Sequence, residues 1–587
     1  MTRLKKHLTP KLSTSLLSGA VLVLASACYS GVDRFDSQAQ DSAGLGDSGT
    51  NSNSGSGSGG DSDGSDSDGG GDQGDPFIPD PGQIRLLSPP ELTNTLHDLL
   101  GVEVDAEFNY SDAASGYDNS SNGQVDENLL SILYVEVERV AAEYVATKLP
   151  QEFPCFVPGG EVTSSCAEDV INDLGRRAYR RPLTDAQRTA LTNFVAATEV
   201  ADSSTLMSAL VTRMLMSPHF LYRTEIGTVR GEDPKVALLD PYERASLISY
   251  ALTGTMPDNA LLADAEAGQL QGDTIRDHVH RLLDTPQGRA QITSFFKQWL
   301  RVGALDAIAA RPEEYPKFSD PATAQALRGE FATFIDQVVI EDGATFSELL
   351  THEATYVNRH TAALYGSSSE QDEFEPLALE DGERGGVLTL ASVMAVHSSS
   401  SEIPRDKPIR RGLLIKNQFQ CEDIGLPSGI DVASAADGVL DQVDDFDALT
   451  TREQFELIMN QDELCVACHV QFMPFGYLWS NFDGLGQLQT HYGDRLLDSA
   501  VNELTVDGEL QSFDGIMDLL PTLAESPQAS ECFSTNVVRF ASGMRDSRSA
   551  DLLSEELATP LREGDVNIIE LFEEILTRPE LYMREAP

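Results

Sequence analysis

The chain has 587 residues, in which 94 Asp and Glu face 41 Lys and Arg for a net charge of -53. That balance argues against nucleic acid, whose phosphates need a basic partner surface, and fits a solvated surface protein or one that meets a basic partner. The stretch beyond residue 83 is too long for one hydrophobic core, so several modules are expected.

The N-terminus reads as an export signal. Arg3, Lys5, Lys6 and Lys11 precede an apolar run at 16–24, and Ala25-Ser26-Ala27-Cys28 follows it. This is a Sec-type leader (1–27) ending in a lipobox, with Ala25 where Leu is commonest. Cleavage before Cys28 and lipidation of its thiol are expected; an ordinary secretory signal with Cys28 incidental is the alternative. Tyr29 after the cysteine is compatible with outer-membrane sorting. The expected location is therefore the cell envelope, at the outer membrane, on its periplasmic or outward face. No other segment approaches the roughly 20 apolar residues that span a bilayer. Residues 28–83 form an acidic linker of Asp, Ser and Gly, expected to stay disordered because it has too little apolar surface to offset ordering.

Helical signals dominate the rest. Ser88, Pro89 and Glu91 open a helix with apolar positions Leu92, Leu96, Leu99 and Leu100 and a stop at Gly101. The stretch 118–123 begins like a calcium loop, but Leu129 stands where the bidentate Glu belongs, so a turn is expected. The basic run 176–183 is expected to pair with acidic helices more than to dock an anion. Thr184 with Gln187, and Asp240 with Glu243, are further capping pairs. A faint echo links 214–218, leading to Arg223, with 575–579, leading to Arg584, and 282–286 is a partial third copy. Each reads as a helix stopped before a proline. His397, followed by four serines, lacks a glycine elbow and a partnering acid, so a polar loop is expected there. Strand signals are few, and the fold class is mainly α: several helical modules in series after the disordered linker, the fourth carrying a c-type haem motif.

That motif is Cys465-Val466-Ala467-Cys468-His469, the C-x-x-C-H pattern of covalent haem c attachment. Cysteines three apart share one side of a helical turn, where both sulfurs can reach porphyrin vinyl groups. His469 is then the proximal ligand to the haem iron. A C-x-x-C disulfide lacks a thioredoxin-type strand-to-helix setting, and a zinc site would need two more ligands. The distal ligand is open, with His491, Met517 and Met544 in reach. Met473 is only four residues on, a span of at most ~14 Å, and the chain would have to pass around the haem edge. Of the seven cysteines, four remain after lipid and haem. Cys155 with Cys166 closes a short loop and Cys421 with Cys532 is the residual pair, other pairings staying open.

Several segments together carry a family resemblance. Arg85-Leu86-Leu87-Ser88 with residues 94–101 and 116–119, then 176–184 with 217–220, then 239–257 with 295–300, fall in the order of successive modules. Tyr356-Val357-Asn358 and Arg410-Arg411-Gly412 lead into the C-x-x-C-H segment, Pro474, Gly476 and 481–486, and 507–508 with 531–533 close the series. The chain resembles a planctomycete-type family of exported multidomain proteins, made of domains of unknown function with a cytochrome c-like module. The resemblance implies export, helical architecture and a c-type haem, and it supplies no substrate. It suggests modules at 84–150, 151–230, 231–370, 371–495 (cytochrome-like) and 496–587. Two departures stand out. Met473 precedes Pro474 where the family usually has Asp-Pro, and 398–407 is more polar than the family's Thr-Ser-Pro segment.

The expected function is that of an exported, lipid-anchored monohaem c-type cytochrome-like protein, transferring electrons at the cell envelope to an unidentified redox or envelope protein partner. It would contact membrane through its lipid only and bind no nucleic acid. One alternative is a surface scaffold or binding protein without haem, its C-x-x-C a disulfide. A lesser one is an envelope polysaccharide-active hydrolase, resting only on abundant carboxylates. Whether the protein is an enzyme is left open.

Overall fold

The computed structural model describes residues 79–110, 116–119, 125–198, 202–231, 233–305, 321–380, 382–397, 407–424, 446–459, 463–545 and 547–586, with the backbone alone at 447 and 463–465. The leader, Cys28 and the linker to residue 78 lie outside them. The fold is mainly helical, as the apolar spacing requires. Among the described residues no helix is long and apolar enough to cross a membrane.

The caps read from the sequence are in place. Helix α1 (Pro89–Leu100) starts at Ser88, whose hydroxyl takes the Glu91 amide while the Glu91 carboxylate takes that of Ser88. It packs with α2 (Glu127–Thr147), α3 (Ser164–Ala178) and α5 (Ser203–Leu215), while α4 (Asp185–Ala197), opened by the Thr184 and Gln187 pair, lies alongside. Leu92, Leu96, Leu133, Val137, Val170, Leu210 and Met214 form the core of this N-terminal half.

A second, larger core runs from α6 (Pro241–Thr253), opened by Asp240 and Glu243, to the last helix. Phe295 and Trp299 of α7 (Pro286–Trp299) lie at its centre. They pack edge-on against Phe533 of α11 (Pro527–Ser542), and Phe295 also meets Phe572 of α13 (Ile568–Thr577). The Trp299 indole donates to the Gln418 carbonyl at 3.2 Å, drawing in α8 (Pro408–Phe419). Residues from the third, fourth and last expected modules thus share one apolar interior.

The two halves meet at a buried ion cluster. Strand β1 (Gln83–Leu86) pairs antiparallel with β2 (Tyr222–Glu225), placing Arg85 opposite Arg223. Strand β4 (Met583–Glu585) pairs with β3 (Val236–Leu238), placing Arg584 opposite Ala237. All three arginines converge on the fully buried Glu225 carboxylate: Arg85 and Arg223 on one oxygen, Arg584 on the other at 3.2 Å. Arg223 also binds Glu91 and stacks 4.4 Å over the Tyr250 ring. Arg85 reaches on to the Gly543 carbonyl at 2.9 Å. The sequence echo acquires a structural meaning here. Residues Pro218–Leu221 and Pro579–Tyr582 are each a short helical turn led by proline and followed by a strand, β2 or β4, and the arginines at matching positions share one carboxylate. In the third partial copy Thr285 caps α7 instead.

The basic run is also absorbed locally. Arg177 pairs with Glu152 and Asp173. Arg180, at φ 56°, is buried and donates to the carbonyls of His219, Phe220 and Tyr222. The calcium-like stretch is a docking turn: Asp118 and the Gln298 amide exchange two hydrogen bonds of 2.7 Å, and Asn119 donates to the Phe540 carbonyl at 2.6 Å. Residues 120–124 lie outside the described residues. Asp80 is buried at the start of α12 (Arg548–Glu563), accepting from Ser547, Ser549 and the Arg548 amide. Both expected disulfides are formed, Cys155–Cys166 and Cys421–Cys532, the second joining the end of α8 to α11.

Burial alone would raise the Glu225 carboxyl, but Arg85, Arg223 and Arg584 outweigh it and bring it from 4.5 down to about 2. Glu91 runs the other way, burial raising its carboxyl more than Arg223 lowers it. The Glu225 contribution is complete above the unfolded value of 4.5 and is lost as pH falls toward 2, on the order of 3 kcal/mol. Replacing Glu225 by Gln leaves buried guanidinium charge unmatched, at a cost of about 3–5 kcal/mol near neutrality. Urea unfolding across pH should show that loss, with a flatter acid limb in the variant than in the wild type.

Candidate functional site

Two glycines set the position of the chain just past the C-x-x-C-H motif. Helix α8 crosses α10 (Met473–Tyr477) so closely that a Cβ on Gly412 would lie 2.0 Å from the Phe472 carbonyl oxygen. One on Gly476 would lie 1.9 Å from that of Pro408. Buried Arg411, from α8, holds the next turns through the carbonyls of Trp479 and Asp483, each at 3.1 Å. The Trp479 indole donates to the Leu388 carbonyl at 3.2 Å. The motif therefore leads directly into the most tightly fixed part of its module.

The motif itself forms α9 (Glu463–His469) and the turn after it. Cys465 lies on this helix, three residues before Cys468. The Cys468 thiol is half-buried and free, and burial pushes it above its ordinary range. His469 is half-buried, its ring 5.2 Å from that of Phe472, and burial pushes its imidazole below the ordinary 6.5. It is thus neutral near pH 7, the form that ligates metals. Its Nδ1 lies 3.0 Å from the Sδ of Met473, which is fully buried. A thioether carries no hydrogen, so the ring nitrogen donates and Nε2 keeps its lone pair. Val466 and Val470, one turn apart, are 39% and 60% exposed. A free thiol, a bare imidazole nitrogen and exposed apolar surface on one short helix form a donor set that fits a covalently held haem.

The other sequence candidates sit on other elements. His491 is exposed on a hairpin, with Nδ1 3.0 Å from its neighbour's Thr490 Oγ1. Met517 is half-buried on helix Ile516–Glu525, its methyl against Gly385. Met544 is buried beside the Gly543 turn that receives Arg85. The structure brings together Cys468, His469 and Met473. The His469–Met473 contact was not anticipated; it forms across the turn 470–472 that joins α9 to α10. His397 is buried, neither ring nitrogen having a hydrogen-bond partner, and burial with the nearby Arg410 and Arg411 holds it well below 6.5. Its following serines lie outside the described residues.

A polar cleft of about 380 Å³ opens elsewhere, between the two cores. Several of its polar groups are engaged with one another: Asn94 donates to the Gly254 carbonyl, Asp118 is held by Gln298, and Asn119 donates to the Phe540 carbonyl. It is a seam of docking contacts.

Fold and site together define a mainly helical, multi-module protein with one c-type motif on a short, partly exposed helix. Three segments match known families, in order along the chain. Residues 166–225 match PSD5, a protein of unknown function (DUF1595), and residues 239–367 match PSD4, a protein of unknown function (DUF1592). Residues 384–492, which include the motif, match PSCyt3, a protein of unknown function (DUF1588). These matches support a chain assembled from several domains of unknown function in series. No curated protein and no solved structure matches it.

Substituting Ala at Gly412 or Gly476 should force α8 from α10 and cost about 1–3 kcal/mol by overpacking. Urea unfolding measures it, and unchanged midpoints in both variants would contradict the close crossing.

Proposed function

We propose that the protein is an exported, lipid-anchored, monohaem c-type cytochrome-like protein that passes electrons at the cell envelope. The observation that carries this reading is the pairing on α9 of a free, half-buried Cys468 thiol with a neighbouring His469 whose Nε2 is bare. The family matches support it by placing the motif within one of several serial domains. In this reading Cys465 and Cys468 hold the porphyrin through thioethers and His469 supplies the proximal nitrogen. Val466 and Val470 offer exposed apolar surface to the porphyrin, Phe472 packs beside the His469 ring, and the Gly412–Gly476 crossing fixes the chain just past the ligand. Haem bound there would supply an iron that gains and loses single electrons. Partial exposure of the helix leaves an edge open to a partner, and the -53 charge favours a basic one. The lipid on Cys28 anchors the assembly, with the acidic linker as spacer, at the outer membrane.

The test is the chain made with haem-attachment machinery, denatured, reduced and read as a pyridine haemochrome, with intact mass alongside. One covalent haem per chain is expected, abolished by joint substitution of Cys465 and Cys468 with Ser. A chain without porphyrin, lighter than its reduced form by two protons, would replace this reading with that of a disulfide-bearing scaffold.

A further inference from the structure

We infer that Met473 is a positioning residue for the proximal histidine, which it holds through Nδ1 while donating almost no electron density to the iron. This rests on the haem reading above. The sulfur sits 3.0 Å from Nδ1, the ring nitrogen remote from the iron when Nε2 ligates. With haem held through Nε2, Met473 in this position would stand behind the ligating ring and would not supply the opposing ligand. It is also closely packed: fully buried, the first residue of α10, and one step past the Phe472 carbonyl against which Gly412 is packed. Its reach back to His469 spans the tight turn 470–472 between α9 and α10, closed by the Phe472 amide on the His469 carbonyl at 3.2 Å, so the contact is set by local geometry.

The acceptor on a ligating histidine's second nitrogen fixes the ring's tautomer and orientation and raises its basicity. A carboxylate accepts strongly and gives the ring imidazolate character, which stabilises oxidised iron. A thioether is a weak acceptor on a soft, polarizable chain. Met473 thus fixes the ring without that donation, and keeps the iron easier to reduce than a carboxylate at the same place would.

The experiment compares the full-length wild type with Met473→Leu and Met473→Asp by redox titration, with haemochrome content and the ferric absorption spectrum recorded for each. Met473→Leu conserves volume and should keep covalent haem and axial ligation, with a midpoint potential at or above that of the wild type. Met473→Asp should shift the midpoint to more negative values. If aspartate at this buried position prevents folding, Met473→Gln, a neutral acceptor stronger than a thioether, should shift it in the same direction by less. Coincident potentials across the series would overturn the inference. So would loss of a sulfur-to-iron charge-transfer band in Met473→Leu, which would make Met473 an axial ligand. Wild type lacking covalent haem would instead overturn the reading beneath it, a distinct result seen before any variant is titrated.

Discussion

A carboxylate removed from water must be matched in charge and in hydrogen bonds, or the fold does not hold. Glu225 meets that requirement with guanidinium groups from three strands, one at the start of the described chain, one adjacent and one at its far end. The constraint organises the molecule. β1 has to lie beside β2 for Arg85 to arrive, and the C-terminal helices have to finish packing for β4 to bring Arg584. Tyr250, reaching from α6 into the N-terminal core, offers its ring face to Arg223 and its hydroxyl to Thr95 at 2.9 Å. The interface between the halves is thus polar at its centre and apolar around it, which selects one docking arrangement over a sliding apolar contact.

The second organising feature is the depth at which the motif is held from behind. α9 has few partners of its own, but the chain after it passes under α8, is clasped by Arg411, and enters the core shared with Trp479. The motif is thus fixed from behind and open in front, as sites carried on rigid elements are.

Much of this was legible in the residues. Capping pairs at Ser88, Thr184 and Asp240 act within four residues, so they can be read directly, and each begins a helix. The short loop between Cys155 and Cys166 pointed to the first disulfide, and Cys421 with Cys532 was the residual pair among pairings that stayed open. The convergence of Arg85, Arg223 and Arg584 on one carboxylate was hidden because its partners lie hundreds of positions apart, and periodicity reports only neighbours. The repeat that carries two of those arginines was visible as a helix-stop pattern, yet nothing in it said that the copies would meet. The same holds for Asp118: a turn was legible there, and only the fold shows its oxygen held by Gln298. At the site, the His469–Met473 pair was within local reach, but the turn at 470–472 that brings the two side chains together leaves no periodic signal.

The ion pair between Arg584 and Glu225 spans 359 positions. In chain order Arg85 and Arg223 precede Arg584 by more than 350 residues, so a chain folding from its N-terminus can bring them to Glu225 first. The early half can therefore assemble with its central carboxylate matched on one oxygen and unmatched on the other. Completion of that half is thus timed by synthesis of the distant end, so the N-terminal helices reach full stability only when the C-terminal core is present to close them. Completion of the two halves is coupled through this carboxylate, alongside the contacts of Arg85 with Gly543, Asn119 with Phe540 and Asp80 with Ser547 and Ser549.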